Sequence, residues 1–271
     1  MPGLRGGTAA VMSDRCRTRY PILLLHGMNC RDDWPVPYWG RIPEALRAEG
    51  ALVFLGGQDA WGSVEGNAAQ LRGTLLRLLE ETGAEKVNLI AHSKGGLEAR
   101  YLLSAMGMGD RAASLTTVCT PHHGSRTADW FLRHKILMAI LSAGIGRFWR
   151  WIGDQGPCPM VVAVDLSTAG AAAFNAAYPD VPGVLYQSWG ACLTGTGEDR
   201  MMQVLGWLTH FADGRTDGLV RPDSARWTHY RGTIAGVSHQ DMTDTRQRSP
   251  RAFDPVEFYL RLVEELKAAG C

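Results

Sequence analysis

Val87-Asn-Leu-Ile-Ala-His-Ser-Lys-Gly-Gly96 decides how the rest of the chain is read. Val87 to Ala91 is a short, mostly apolar run of strand length, and the residues from Ser93 to about Ala105 read as a helix. The serine therefore stands at the junction of a strand and a helix. It is flanked at two residues' distance by Ala91 and Gly95. This is a small-x-Ser-x-Gly turn with alanine in the first small position. So sharp a turn brings the positions two before and two after the serine close to neighbouring backbone, where only small residues fit. It also lifts the hydroxyl above the sheet at a helix N-terminus, where developing negative charge is favoured.

Working outward, the same alternation recurs. Pro21 to Leu25 is a continuous apolar run ending at His26-Gly27, and Ala51 to Leu55 is another, closed by Gly56-Gly57. Strands without polar alternation are buried on both faces, as in parallel sheets. Val64, Ala68, Leu71, Leu75 and Leu78 recur at three- and four-residue steps and predict a helix stopped by Thr82-Gly83. Leu115 to Cys119 reads as a strand, and Gly183 to Ser188 and Gly232 to Ala235 are weaker ones. Asp254, Pro255 and Glu257 open a last helix with a capping-box-like pattern. The pattern predicts one α/β domain over residues 1–271, a mostly parallel sheet with helices on both faces. From Ser125 to about Asp165 the rhythm breaks. Trp130, Phe131, Ile136, Ile140, Phe148, Trp149 and Trp151 crowd a segment without a clear strand. It reads as a helical insertion over about 125–165, either a buried helix pair or an apolar lid.

A serine hydroxyl needs a base to take its proton, and the base needs a carboxylate to hold it. In a fold with this elbow the chain order is serine, acid, histidine. His26 and His92 precede Ser93, and His122, His123, His134 and His210 leave little room for an acid strand between. His239 follows the strand ending at Ala235, in a loop that can reach the elbow. His229, the remaining rival, precedes that strand. Asp217, in Gly214-Arg-Thr-Asp-Gly-Leu-Val220, is the leading acid, with Asp213 and Asp223 as rivals. The backbone N–H of Lys94, after the serine, and that of Met28, after the first strand, are the expected oxyanion donors. The His26 side chain is expected to brace the Met28 loop.

The balance of charge, formally +1, carries no basic surplus and gives no case for nucleic-acid binding. No apolar run reaches 18 residues, so no transmembrane span is expected. Met1 to Tyr20 lacks the apolar middle of a secretory signal, which favours the cytoplasm, although a trimmed chain would read the same way. The six cysteines are far apart with no C-x-x-C pair, as expected of scattered thiols.

Five ordered segments resemble the bacterial triacylglycerol lipases, most closely the Pseudomonas and Burkholderia group and its clostridial relatives. They are Tyr20 to Met28, Tyr38-Trp39 with Ile42 to Leu46, Val87 to Gly96, Thr120 to Ser125 and Thr216 to Val220. The similarity spans about Tyr20 to Asp244. It implies an α/β-hydrolase fold and an ester hydrolase working through an acyl-enzyme on apolar acyl or lipid esters. It gives Ser93, Asp217 and His239 as the triad, Met28 and Lys94 as oxyanion donors, and a helical lid that opens at a lipid interface. An acyltransferase or thioesterase would use the same triad, and a fold that had lost catalysis would serve as a binding protein. No cofactor is needed for the chemistry. The resemblance also implies a structural calcium ion beside the base loop, with Asp241 as the matching ligand. Thr245 stands where that family places a glutamine, and Asp199, the nearest earlier acid, is at a different spacing.

Overall fold

The computed structural model describes residues 13–32, 35–195, 199, 202–204, 215–247, 249 and 253–271. Six strands form one parallel sheet: β1 (Ile22–Leu25), β2 (Val53–Leu55), β3 (Val87–His92), β4 (Ala112–Val118), β5 (Leu185–Cys192) and β6 (His229–Ala235), in the order β2-β1-β3-β4-β5-β6. Each strand returns to the sheet through a crossover, so all six C-terminal ends lie along one edge. The order reverses between β1 and β3. That switch point is where the loops after neighbouring strands diverge and leave a crevice.

The unbroken apolar character of β1 follows from its place. Ile22 and Leu24 face one core, with α1 (Ile42–Ala48) and the last helix α9 (Pro255–Ala268) over it. Leu23 and Leu25 face the other, under α2 (Val64–Thr82) and α3 (Gly95–Ser104). All four are fully buried. Gly83 ends α2 in the left-handed conformation at φ 67°. Asp254 caps α9 through backbone N–H donors of Val256 and Glu257. The expected reciprocal cap by Glu257 is absent. Its carboxylate instead accepts Arg15 at 2.9 Å and Arg261 at 2.8 Å, because two guanidinium groups are stronger partners than one backbone amide.

The irregular region is helical: α4 (Arg126–Arg133), α5 (Lys135–Ile152), α6 (Pro159–Asp165) and α7 (Thr168–Ala177). It runs beyond the expected boundary at 165, because Ser167 caps a further helix with its hydroxyl on the Gly170 N–H. Val162 and Leu166 of this region pack on Val64 and Leu97. A short helix, α8 (Pro222–Ala225), precedes β6. Strand β6 begins at His229, three residues earlier than its apolar pattern suggests. Its exposed alternate residues, at one end of the sheet, hide the strand in the sequence. Cys16, Cys30, Cys119, Cys158 and Cys271 are free thiols. Among the described residues no single helix is long and apolar enough to cross a membrane.

Candidate active site

The register of the sheet builds the site. Leu25 pairs with Ala91, so the residues after β1 lie beside those after β3. Ser93 has φ 54°, in the left-handed region that serine rarely adopts. The strain is held by its neighbours: Ser93 N–H donates to the Val118 carbonyl at 2.9 Å, and Thr120 Oγ1 donates to the Ser93 carbonyl at 2.8 Å. A Cβ at Gly95 would stand 2.5 Å from the His26 carbonyl oxygen, and one at Gly27 would stand 2.7 Å from Ser93 Cβ. Glycine is thus required at both places by close approach, which packs the first loop against the elbow.

The loops after β5 and β6 bring the acid to the histidine. Leu193 and Gly236 tie the two strand ends together through Thr216 and Cys192 carbonyls, both at 2.8 Å. Asp217 Oδ1 accepts the N–H groups of Leu219 at 2.9 Å and Val220 at 2.7 Å, which closes a tight turn around the side chain. Its Oδ2 accepts His239 Nδ1–H at 2.7 Å, and the His239 backbone N–H donates to the Asp217 carbonyl at 2.9 Å. Acid and histidine are therefore locked at two points, both buried. With Nδ1 carrying the proton, Nε2 presents a lone pair. Ser93 and His239 border one cavity of about 120 Å³. The rivals lie elsewhere. His229 is exposed at the far end of β6, and Asp223 is held by Arg221 at 2.7 Å in α8. Asp213 and His210 lie outside the described residues.

Met28 and Ser93 also border a larger cavity of about 240 Å³. Trp61, Phe131, Met138, Leu141, Ile145, Val162 and Leu166 line it, so its wall is apolar and drawn largely from α4, α5 and α6. His26 is fully buried, with Nδ1 2.7 Å from the Gly27 carbonyl and Nε2 2.9 Å from the Gln58 carbonyl. A trans peptide holds its C=O and N–H on opposite sides. With the proton on Nδ1, the bond to the Gly27 carbonyl sets the direction of the Met28 N–H. Tyr38 and His92 lie behind the pair. Tyr38 Oη and His92 Nδ1 are 2.6 Å apart, and the His92 and His239 rings are 4.5 Å apart between centroids. Burial, and then the neighbouring His239, hold His92 well below the ordinary imidazole range, so it stays neutral. Burial raises the Tyr38 hydroxyl well above its ordinary value.

No family model matches the chain. The triacylglycerol lipase of Pseudomonas fragi is 31% identical, with 96% of this chain and 100% of that one covered. The triacylglycerol lipase of Vibrio cholerae is 30% identical over 94% of this chain and 89% of its own. This chain belongs to the bacterial triacylglycerol lipase family. It is a carboxylic-ester hydrolase of the lipase and esterase type. Among solved structures, the metagenomic carboxyl esterase MGS0156 has the same fold with a TM-score of 0.74 at 17% identity, covering 99% of this chain and 81% of that one.

In this lipase the structure adds residues that the motifs do not single out. The Lys94 side chain is fully buried, donates to the Gly62 carbonyl at 2.9 Å and pairs with Glu98, one helical turn on. Glu98 also accepts Asn67 Nδ2 at 2.8 Å and Gln58 Nε2 at 3.2 Å, and the same Gln58 group donates to the His26 carbonyl at 2.9 Å. The i,i+4 spacing of Lys94 and Glu98 is visible in the sequence, but its burial is not, since such pairs are usually surface features.

The fold family also implies a calcium ion near the base loop. Asp199 and Asp241 do come together there: Ser238 Oγ lies 3.1 Å from Asp199 Oδ2 and 2.8 Å from Asp241 Oδ2. Among the described residues the donor set does not fit the ion. Calcium takes six to eight oxygens at about 2.3–2.6 Å. Here Asp199 Oδ1 already accepts the Met202 N–H, and Arg246 Nη1 stands 2.7 Å from Asp199 Oδ2, where a second cation would be repelled.

Proposed function

We propose that this lipase cleaves apolar acyl esters through an acyl-enzyme on Ser93, with His239 as base and Asp217 as its orienting acid. The observation that carries this reading is the twice-bonded Asp217–His239 pair bordering one cavity with a serine held at positive φ. Ser93 Oγ attacks the ester carbonyl carbon while its proton passes to His239 Nε2. The carbonyl oxygen gains negative charge, which the backbone N–H groups of Met28 and Lys94 receive. The carbon–oxygen bond to the alcohol then breaks, and the alcohol leaves with the proton from His239. Water enters, gives a proton to His239 and attacks the acyl carbonyl. The Ser93 oxygen leaves and is reprotonated, and the free acid departs. Asp217 keeps Nδ1 protonated throughout and offsets the imidazolium charge.

The larger cavity supports an apolar acyl chain as its occupant, since its wall offers hydrocarbon and almost no hydrogen-bonding groups. Helices α4 to α6 serve as the lid over it. Met138, Leu141 and Ile145 of α5 face the cavity, whereas Ile136, Ile140 and Trp151 of the same helix are 81%, 67% and 81% exposed. A helix apolar on both sides suits a surface that meets a lipid layer on the outside and an acyl chain within. Hydrolysis of p-nitrophenyl esters of graded chain length tests the reading. The rate rises from acetate toward medium chains, and Ser93→Ala lowers kcat by about 10⁴-fold or more on every ester. A full rate in Ser93→Ala, or no turnover of any chain length, contradicts it.

A further inference from the structure

We propose that Arg246 is a built-in cation for the base loop, standing where a bound metal ion would otherwise bind the two aspartates together. The inference rests on His239 being the base. Ser238, directly before His239, faces both Asp199 and Asp241, yet a hydroxyl carries one proton and can donate to one carboxylate at a time. Two buried carboxylates sharing one hydroxyl repel each other and need a positive charge nearby. Arg246 provides it. Nη1 reaches Asp199 Oδ2 at 2.7 Å, and Nη2 donates to Gln240 Oε1 at 2.6 Å. Gln240 is the residue directly after His239. One planar fork therefore spans from the segment after β5 to the loop that carries the base.

The far end of that loop is fixed independently. Asp244 accepts Arg41 Nε and Nη2, both at 2.8 Å, and the Arg41 backbone N–H at 2.8 Å. Thr245 Oγ1, at the position where the family has a glutamine, donates to the Tyr38 carbonyl at 2.7 Å. A hydroxyl committed to a backbone carbonyl lies outside the aspartate cluster, which agrees with a loop held by side-chain charge and hydrogen bonds. Arg246 touches neither Ser93 nor the cavity. It is a positioning residue acting through Ser238 and Gln240 on the ring of His239.

The test compares wild type, Arg246→Gln and Arg246→Lys. Calcium chloride alone is titrated by calorimetry, melting is followed with calcium or with EDTA, and kcat and KM are measured on a soluble p-nitrophenyl ester. Wild type is expected to show no calcium heat and the same melting temperature in EDTA. Arg246→Gln is expected to melt about 5 °C lower and to lose kcat about ten- to a hundredfold while KM stays within about twofold. Arg246→Lys is expected to recover most of both. Saturable calcium binding by wild type with a lower melting point in EDTA overturns the proposal. So does an Arg246→Gln protein that matches wild type, or an Arg246→Lys protein as damaged as Arg246→Gln. If the role of His239 fails while the loop proposal holds, the melting and calorimetric results stand and only the kcat effect disappears.

Discussion

Lys94 occupies a position that the elbow motif leaves open, and its side chain is committed to the protein interior. A buried ammonium is costly unless it is paired and hydrogen-bonded. Glu98 and the Gly62 carbonyl meet that need, and Gln58 carries the network on to the His26 carbonyl, directly before the Gly27–Met28 peptide. The lysine thus joins α3 to the loop that holds Met28, the proposed oxyanion donor. Glu98→Ala leaves the ammonium with one carbonyl partner, and urea unfolding is expected to show a loss of about 3–5 kcal/mol. A loss below about 1 kcal/mol would show that the pair contributes little and that the lysine reaches solvent. Ser93, Asp217 and His239 were legible as candidates because chain order and loop placement are one-dimensional features. The Lys94–Glu98–Gln58 chain was not, because it joins helix α3 to the loop after β2, and periodicity in one element says nothing about burial against another.

The elements themselves divide by how self-contained their signals are. Strand β3, helix α2 and helix α9 announce themselves through a mostly apolar run, a 3.6-residue stripe and an Asp-Pro start, all local features. Helix α7 and the first half of β6 do not. The first is rich in alanine with little patterning, and the second alternates toward solvent at the sheet edge. Helix α5 is the element whose function departs most from its packing. Ile140 and Trp151 are exposed and do not line the apolar cavity. Replacing both with serine is expected to leave the rate on a short, soluble ester within about twofold of wild type. The same change is expected to lower the rate on emulsified triacylglycerol by about a hundredfold or more, since each apolar side chain fully buried at an interface contributes roughly 1.5–3 kcal/mol. Equal rates on the emulsion, or an equal fall on both substrates, would remove α5 from the interfacial role.

At the scale of the whole molecule, parallel topology is what gathers residues 28, 93, 217 and 239 at one edge of the sheet. Every one of these loops leaves the C-terminal edge of the sheet, and the β1–β3 switch point separates the Met28 loop from the elbow by a single strand spacing. The alternation of strands and helices predicts that edge, while the helical insertion that roofs it is readable only as a break in the pattern. The central claim is that Ser93 is the nucleophile activated by His239. An activated organophosphorus ester, which esterifies an activated serine, tests it most directly by intact mass followed by peptide mapping. One adduct per chain is expected, on the peptide holding Ser93, with activity lost in proportion to labelling, and His239→Ala is expected to label at least about 10³-fold more slowly. Adducts on another residue that track the loss of activity, or undiminished labelling in His239→Ala, would contradict the account.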